Sequence, residues 1–188
     1  MGGSSSHNRH YENVPKGWCF AKIKDIFIIN PKNKANDYDM AGFVSMSMIN
    51  EGYVDSYQYE TREWSSIKAG FTHFQDGDIA IAKISPCLEN RKSMILKGLP
   101  NGIEAGTTEL HVFRSSIVDA RYALYFFMSD YFIAQCIGTF NGVVGQQRVG
   151  KSVIEDIVFP LPPLEEQRLI ACTISVIFKH LDNILSEL

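Results

Sequence analysis

Stretches that alternate between apolar and polar residues recur through the first part of the chain. Residues 43–49 and 53–59 alternate with a period of two, which predicts half-buried strands. Asp76 and Gly77 are turn-forming residues ahead of an apolar run, so the segment 74–84 predicts a tight turn followed by a buried strand. Further short strands are predicted at 93–96, 108–114 and 157–161.

The spacing of apolar residues changes to that of a helix after Asp119. Asp119 is a predicted N-cap for the first helix, and Ser129 or Asp130 begins a second helix that ends near Gly138. A short helix is predicted within 149–156. Short strands followed by helices indicate a mixed α+β domain.

The C-terminal stretch 164–188 has the most regular pattern. Apolar residues recur every seven positions, which predicts one helix about 37 Å long with a coiled-coil seam. Such a helix either lies on its own domain or pairs with another helix, and its broad apolar face favours a partner. The residues expected to face that partner are Leu164, Ile170, Ala171, Ile174, Ile177, Phe178, Leu181 and Leu185.

A proline-rich segment precedes this helix. The prolines at 160, 162 and 163 cannot donate backbone hydrogen bonds and favour an extended chain, so they predict a rigid elbow. Pro163 suits the first helical turn, and Glu165 and Glu166 suit the positive end of the helix dipole. The predicted organisation is a flexible N-terminus or tag at 1–12, a globular domain at 13–161 and a spacer or dimerisation helix at 162–188.

Composition fits a soluble globular protein, with 45% hydrophobic and 21% charged residues. The net charge of −3 argues mildly against nucleic-acid binding, although basic residues cluster between 82 and 100. That cluster predicts either a local basic face or an ordinary solvated surface. The cysteines and histidines have no zinc-like spacing, so no metal site is expected. No run of about 18 apolar residues is present, and we expect a cytoplasmic protein without a spanning helix.

The sequence contains none of the nucleotide-binding or hydrolytic motifs that we sought, and we expect no catalytic activity. The loop 142–148 is a better candidate for function. Two glycines permit a tight loop, Gln146 and Gln147 suit adenine edges, and Arg148 suits phosphate or guanine. The alternative is that this loop braces the domain against the elbow, with its glutamines bonded to backbone.

Five segments resemble one known family, in the same order along the chain. They are the Pro-Lys-Gly-Trp entry at 15–18, the turn at 84–92, the Gly-Thr-Thr-Glu-Leu stretch at 106–110, the glycine–glutamine loop at 142–148 and the Leu-Pro-Pro-Leu-Glu-Glu-Gln junction at 161–167. The chain is similar to the specificity subunits of Type I restriction-modification systems. One departure is Arg91, which stands where the family usually has glycine, so a positive φ there would be strained.

The resemblance implies a target recognition domain with a spacer helix and no cofactor of its own. Such a module reads one half of a bipartite double-stranded DNA target and docks methyltransferase subunits, which carry S-adenosylmethionine. A restriction subunit with ATP and Mg²⁺ joins the full complex, and a second recognition half or a homodimer pairs through the helix. The expected phosphate contacts are Lys83, Arg91, Lys92 and Arg148, and the expected base contacts are Asn90, Gln146 and Gln147.

Two other functions remain open from the sequence. The negative net charge and the long amphipathic helix also fit an assembly or scaffold protein that does not bind DNA. A third, weaker alternative is the recognition domain of a nuclease–methyltransferase fusion.

Overall fold

The computed structural model describes residues 14–139 and 147–187. Two four-stranded sheets and a two-stranded ribbon carry the helices. The helices are Ile23–Ile26 (α1), Trp64–Ile67 (α2), Ala120–Phe127 (α3), Asp130–Ile137 (α4), Lys151–Asp156 (α5) and Leu164–Ser186 (α6). The strands are Cys19–Lys22 (β1), Ile28–Ile29 (β2), Met40–Val44 (β3), Glu60–Glu63 (β4), Thr72–Gln75 (β5), Ile79–Ala82 (β6), Ser93–Ile95 (β7), Ile103–Gly106 (β8), Leu110–Arg114 (β9) and Val158–Leu161 (β10). The predicted α+β class is confirmed.

The two larger sheets lie face to face. The first has the order β2-β9-β6-β7 and the second β4-β3-β8-β5, in which β3 and β8 are parallel. Because side chains alternate along a strand, β6 sends Ala80 and Ala82 to the core between the sheets and Ile79 and Ile81 to the core under the helices. A third cluster around Trp64 covers the outer face of the second sheet. The layers are therefore helices, first sheet and second sheet.

The predicted helix caps are present. Both Arg121 N and Tyr122 N donate to the Asp119 carboxylate at 3.0 Å, and Phe132 N donates to the Ser129 hydroxyl at 3.2 Å. Each cap satisfies a backbone donor that the first helical turn cannot pair internally. The two helices α3 and α4 therefore begin where the sequence predicts.

Two predicted strands were wrong in part. The strand expected at 43–49 ends at Val44, and Met46–Met48 forms a 3₁₀ turn. The stretch 53–59 is a loop whose one bridge joins Ile49 to Tyr57, and the next strand begins at Glu60. Within this loop only Asp55 and Tyr57 are half-buried, and the other residues are exposed.

The proline elbow leads out of the ribbon formed by β1 and β10. Cys19 pairs with Leu161 at its end, and the chain then passes through the two remaining prolines into α6. Pro163 is the residue before the helix rather than part of its first turn, and its carbonyl accepts hydrogen bonds from Glu166 N at 2.9 Å and Gln167 N at 3.0 Å. The helix begins at Leu164, as the sequence predicts.

Helix α6 is only partly free of the domain. It has 23 residues and is about 34 Å long. Its first half packs on α3, and Gln167 and Ala171 are buried there. Every described residue from 179 onward is exposed. The apolar face predicted for a partner is therefore divided between the chain's own domain and solvent.

Helix α6 also meets the length and hydropathy criteria for a membrane-spanning helix, with 6% of its most apolar window buried. No such helix was expected from the sequence, because the chain has no unbroken run of about 18 apolar residues. The criteria use hydropathy averaged over a window of residues. An amphipathic helix with interspersed polar residues therefore meets them without such a run. One helix of this kind is weak evidence for a membrane protein.

Candidate nucleic-acid interface

Backbone pairing brings two distant segments of the predicted site together. Ser85 N donates to Gln147 O at 2.9 Å, and Val149 N donates to Lys83 O at 2.9 Å. A bridge between Ile84 and Arg148 lies between these two bonds. The start of the 84–92 turn and the end of the 142–148 loop therefore form one surface. Gln146 lies outside the described residues.

His111 anchors this pairing from beneath. Its Nε2 lies 3.0 Å from Val149 O, and its Nδ1 lies 3.3 Å from Asn30 Nδ2. Since a carbonyl only accepts and an amide nitrogen only donates, Nε2 carries the proton and Nδ1 accepts. Burial lowers the pKa of His111 to about 4, so the ring is neutral near pH 7. A neutral histidine satisfies both partners without a buried charge.

Arg148 and Glu109 form a bidentate ion pair on this surface. Arg148 Nε donates to Glu109 Oε2 at 2.8 Å, and Nη2 donates to Oε1 at 2.6 Å. Hydrogen bonding from Arg148 lowers the pKa of Glu109, and the positive charge of Lys83 contributes to the same shift. The guanidinium is held with its plane fixed.

The structure turns Arg91 towards the domain, contrary to its predicted role as a phosphate contact. Its φ is 59°, the left-handed conformation that makes glycine the usual residue there. Arg91 Nε donates to Met128 O at 3.0 Å, Nη1 to Glu89 O at 3.3 Å, and Nη2 to the Asp130 carboxylate. These contacts tie the 84–92 turn to the junction between α3 and α4.

Lys92 is also turned inward, which corrects its prediction as a phosphate contact. Its side chain is 14% exposed, and Nζ donates to Met46 O at 3.1 Å and lies 3.8 Å from Glu51 Oε1. Asn90 remains exposed, although its Nδ2 donates to Glu51 Oε1 at 3.2 Å. Of the described candidates, Asn90 and Arg148 are exposed, and Lys83 and Gln147 are half-buried.

Acidic side chains neutralise most of the basic cluster that the sequence indicates. Three of the four cations between 82 and 100 have acidic partners: Asp130 for Arg91, Glu51 for Lys92 and Asp55 for Lys97. Outside that cluster, Glu109 pairs with Arg148. The Arg148–Glu109 pair is partly exposed, and an exposed ion pair contributes at most about 1 kcal/mol.

Gln167 has a structural role that the seven-residue pattern does not reveal, since the residue occupies a seam position of that repeat. The side chain is 1% exposed. Its Oε1 accepts from Asp119 N at 2.8 Å, and its Nε2 donates to Pro162 O at 2.9 Å. It therefore joins the start of α6 to the start of α3 and to the elbow. A glutamine at an otherwise apolar seam position was the available signal.

The exposed part of the predicted partner face is smaller than expected. Ala171 is 3% exposed and belongs to the domain core, so it is unavailable to a partner. Ile170, Ile174 and Phe178 are half-buried on the chain's own domain. The exposed members of the predicted set are Leu164, Ile177, Leu181 and Leu185.

Glu104 is a buried carboxyl in the core between the sheets. Both carboxyl oxygens are without a hydrogen-bond partner, and the residue is 0% exposed. A Cβ at Gly42 would lie 3.0 Å from this side chain, so glycine makes room for it. Burial, together with the negative charge of Asp76, raises the pKa of Glu104 to about 8. Within the described ranges 14–139 and 147–187, no three potential ligands cluster as a metal site.

The chain matches a family known as the Type I restriction modification DNA specificity domain over residues 15–188. It is 42% identical over 160 residues to the specificity subunit of the Type I restriction enzyme EcoAI of Escherichia coli, covering 84% of this chain and 27% of that protein. It is 40% identical over 165 residues to the EcoEI specificity subunit of the same organism, covering 86% and 28% respectively. The chain thus spans about a quarter of the length of these relatives.

A solved structure has the same fold at low sequence identity. The HsdS subunit from Thermoanaerobacter tengcongensis superposes with a TM-score of 0.75 at 16% identity, covering 94% of this chain and 46% of that one. At this level of identity the likeness concerns the fold alone. It includes a domain and a long helix in the arrangement described above.

Proposed function

Because the chain belongs to the Type I restriction modification DNA specificity domain family, we propose that it reads one half of a bipartite DNA target for such a system. It acts without chemistry of its own, as the specificity subunits that it resembles are named for recognition. The observation that carries the proposal is the backbone pairing between the 84–92 turn and the segment after the 142–148 loop. That pairing brings Lys83, Gln147 and Arg148 next to one another.

The DNA contacts divide by chemistry. Lys83 and Arg148 contact phosphates, which need positive charge but carry no sequence information. Asn90 and Gln147 contact base edges, because their amides can both donate to and accept from adenine. The ion pairs with neighbouring acids break when phosphate binds, above all the pair between Arg148 and Glu109.

Helix α6 supplies the connection to partners. Its outer half presents Ile177, Leu181, Ile184 and Leu185 to solvent, each between 48% and 68% exposed. An apolar stripe of this kind suits another helix, from a second recognition half or a second copy of the chain. The methyltransferase subunits bind S-adenosylmethionine and dock on the assembled module, while ATP and Mg²⁺ belong to the restriction subunit. The assembly works in the cytoplasm.

The salt dependence of DNA binding by the chain assembled with methyltransferase subunits tests the phosphate contacts. Replacing Lys83 or Arg148 with alanine should weaken binding to all sequences and reduce the slope of log K against log salt by about 0.9 each. Arg62→Ala is the matched control, because Arg62 pairs with Glu60 at 2.7 Å on the other sheet. Slopes that stay unchanged in the Lys83 and Arg148 variants would contradict the assignment.

A scaffold role without DNA binding is the second candidate, and the extensive neutralisation of the basic residues favours it. The two functions predict different DNA binding by the complex of this chain with methyltransferase subunits. Retention supports the recognition role, and a complex that assembles but never binds DNA supports the scaffold. The fusion alternative predicts instead that a nuclease domain continues the same reading frame.

A further inference from the structure

Three side chains form a column that joins the 84–92 turn to helix α6. The guanidinium carbon of Arg91 lies 4.6 Å from the centre of the Tyr53 ring. The Tyr53 ring stacks on Phe178 of α6, with centroids 5.2 Å apart and planes at 24°. Phe178 also contacts Tyr125 of α3 at 5.9 Å. Offset stacking and cation–π contact each add attraction beyond apolar burial.

The loop that carries Tyr53 is fixed on two other sides. Gly52 N donates to Asn90 O at 2.9 Å, which binds the loop to the 84–92 turn. Asp55 pairs with Arg121 of α3 at 3.2 Å and with Lys97 at 3.4 Å. Tyr53 is therefore held by the domain and is not a side chain on a loose loop. Because Tyr53 is fixed in this way, it restrains Phe178, which stacks on its ring.

Among the residues of α6 that pack on the domain, Phe178 lies nearest the C-terminal end. A contact there therefore restrains the angle of the helix more than a contact closer to its start. Phe178 is the last such residue, because every described residue after it is exposed. The last fully buried residue of the helix is Ala171. The end of the helix at Ser186 lies about 22 Å beyond Ala171 at 1.5 Å per residue. A pivot of about 10° at Ala171 moves this end by about 4 Å, more than the 3.4 Å rise of one base pair.

We propose that Arg91, Tyr53 and Phe178 form a strut that sets the angle of α6 against the 84–92 turn, and so selects the separation of DNA half-sites. They are positioning residues, and none of them has to touch DNA. The proposal rests on the proposed recognition function for its consequence, but the strut itself can be tested without DNA. It also gives Arg91 a reason to replace the glycine expected at a left-handed position, since glycine cannot reach Tyr53.

The strut is tested first in the chain alone. Spin labels are placed at Thr61 on β4 and Asp182 on α6 by noncanonical amino acids, which leaves the exposed Cys19 and Cys172 unmodified. Electron–electron double resonance should give one narrow distance distribution for the wild type. Tyr53→Ala and Phe178→Ala should each broaden it, while circular dichroism stays unchanged. Wild-type distributions in both alanine variants would overturn the strut, whatever the chain does with DNA.

Two control variants separate the strut from general loss of packing. Tyr53→Phe keeps the ring and should restore the narrow distribution. Tyr59→Ala removes a tyrosine of the same segment that is 40% exposed, close to the 44% of Tyr53, and should leave the distribution narrow. Broadening by Tyr59→Ala as great as that of Tyr53→Ala would contradict a specific role for the column.

The consequence for recognition is measured in the assembled complex on duplexes that differ in half-site separation. The wild type should prefer one separation, and Tyr53→Ala should reduce the ratio of its best to next-best affinity at least threefold. Tyr53→Phe should restore the preference. An equal loss of affinity at every separation would overturn the proposal, since that is the signature of a merely structural residue. Failure of the wild type to bind any duplex would instead contradict the recognition function, with the distance result still standing.

Discussion

Replacing Glu104 with glutamine should remove a pH-dependent loss of stability that the wild type carries. The folded-state pKa of this carboxyl is raised to about 8 from an ordinary 4.5. A carboxyl with a raised folded pKa supports the fold fully below its unfolded pKa and loses that support as pH rises through the folded value. The wild type should therefore weaken between about pH 4.5 and pH 8.

The magnitude follows from the two pKa values. Each unit of difference is worth 1.36 kcal/mol, so ionisation costs about 3 kcal/mol at pH 7 and approaches about 5 kcal/mol above pH 8. Glutamine does not ionise. Its buried amide adds a penalty of about 1–3 kcal/mol, but that penalty is the same at every pH. The observable is thus the change in the mutant–wild-type difference with pH.

Urea unfolding of both proteins at pH 5, 6, 7 and 8 measures this difference. The variant should gain about 3 kcal/mol relative to wild type between pH 5 and pH 8. His111 titrates in both proteins and does not contact Glu104, so its contribution cancels in the mutant–wild-type difference. Glu109→Gln is the matched control, and its difference should not rise with pH because Arg148 lowers the pKa of that carboxyl. A constant difference for Glu104→Gln would mean that the carboxylate is satisfied in the fold, and the reasoning would be wrong.

Four further predictions follow from other contacts. Gln167→Ala should cost about 2–4 kcal/mol in urea unfolding, because two buried backbone groups lose their partners, whereas alanine at exposed Thr173 should cost under about 0.5 kcal/mol. The folded pKa of His111, about 4 against 6.5, predicts that stability falls as pH drops from 6.5 towards 4, and His111→Gln should flatten that limb of a thermal-unfolding series. Gly106→Ala should destabilise by more than about 2 kcal/mol, since its Cβ would lie 2.4 Å from Val44 O, while Gly138→Ala, with no atom within 4 Å, should be tolerated. Leu181→Asp with Leu185→Asp should abolish any helix-mediated self-association seen by light scattering, and Glu165→Ala should not; a complex that persists in the double variant would locate the contact elsewhere.

The regular elements were predictable where local chemistry determines them. Asp119 and Ser129 cap their helices through their own side chains, and the repeat after Leu164 is long enough to define a helix without tertiary information. The buried run at 79–82 also identifies its strand, because its residues are apolar on both faces. In each case the residues that form the predictive pattern are themselves part of the element that they predict.

The missed features depend on contacts between distant parts of the chain. The 53–59 loop alternates like a strand, but the residues that fix it, among them Arg91 and Phe178, lie far away in the sequence. Strand β8 carries the buried Glu104 and pairs in parallel with β3, a combination that periodicity does not reveal. The inward orientation of Arg91 and Lys92 likewise results from acceptors at Met128 and Met46.

The central claim is that this module reads DNA sequence through the surface around Lys83, Gln147 and Arg148. Selection of duplexes from a random library by the module assembled with its methyltransferase subunits tests it most directly. The account predicts an enriched motif with two separated halves, and in the Asn90→Ala/Gln147→Ala variant the loss of preference in the half that this module reads. Enrichment of no motif, or of an unchanged motif in the variant, would contradict it.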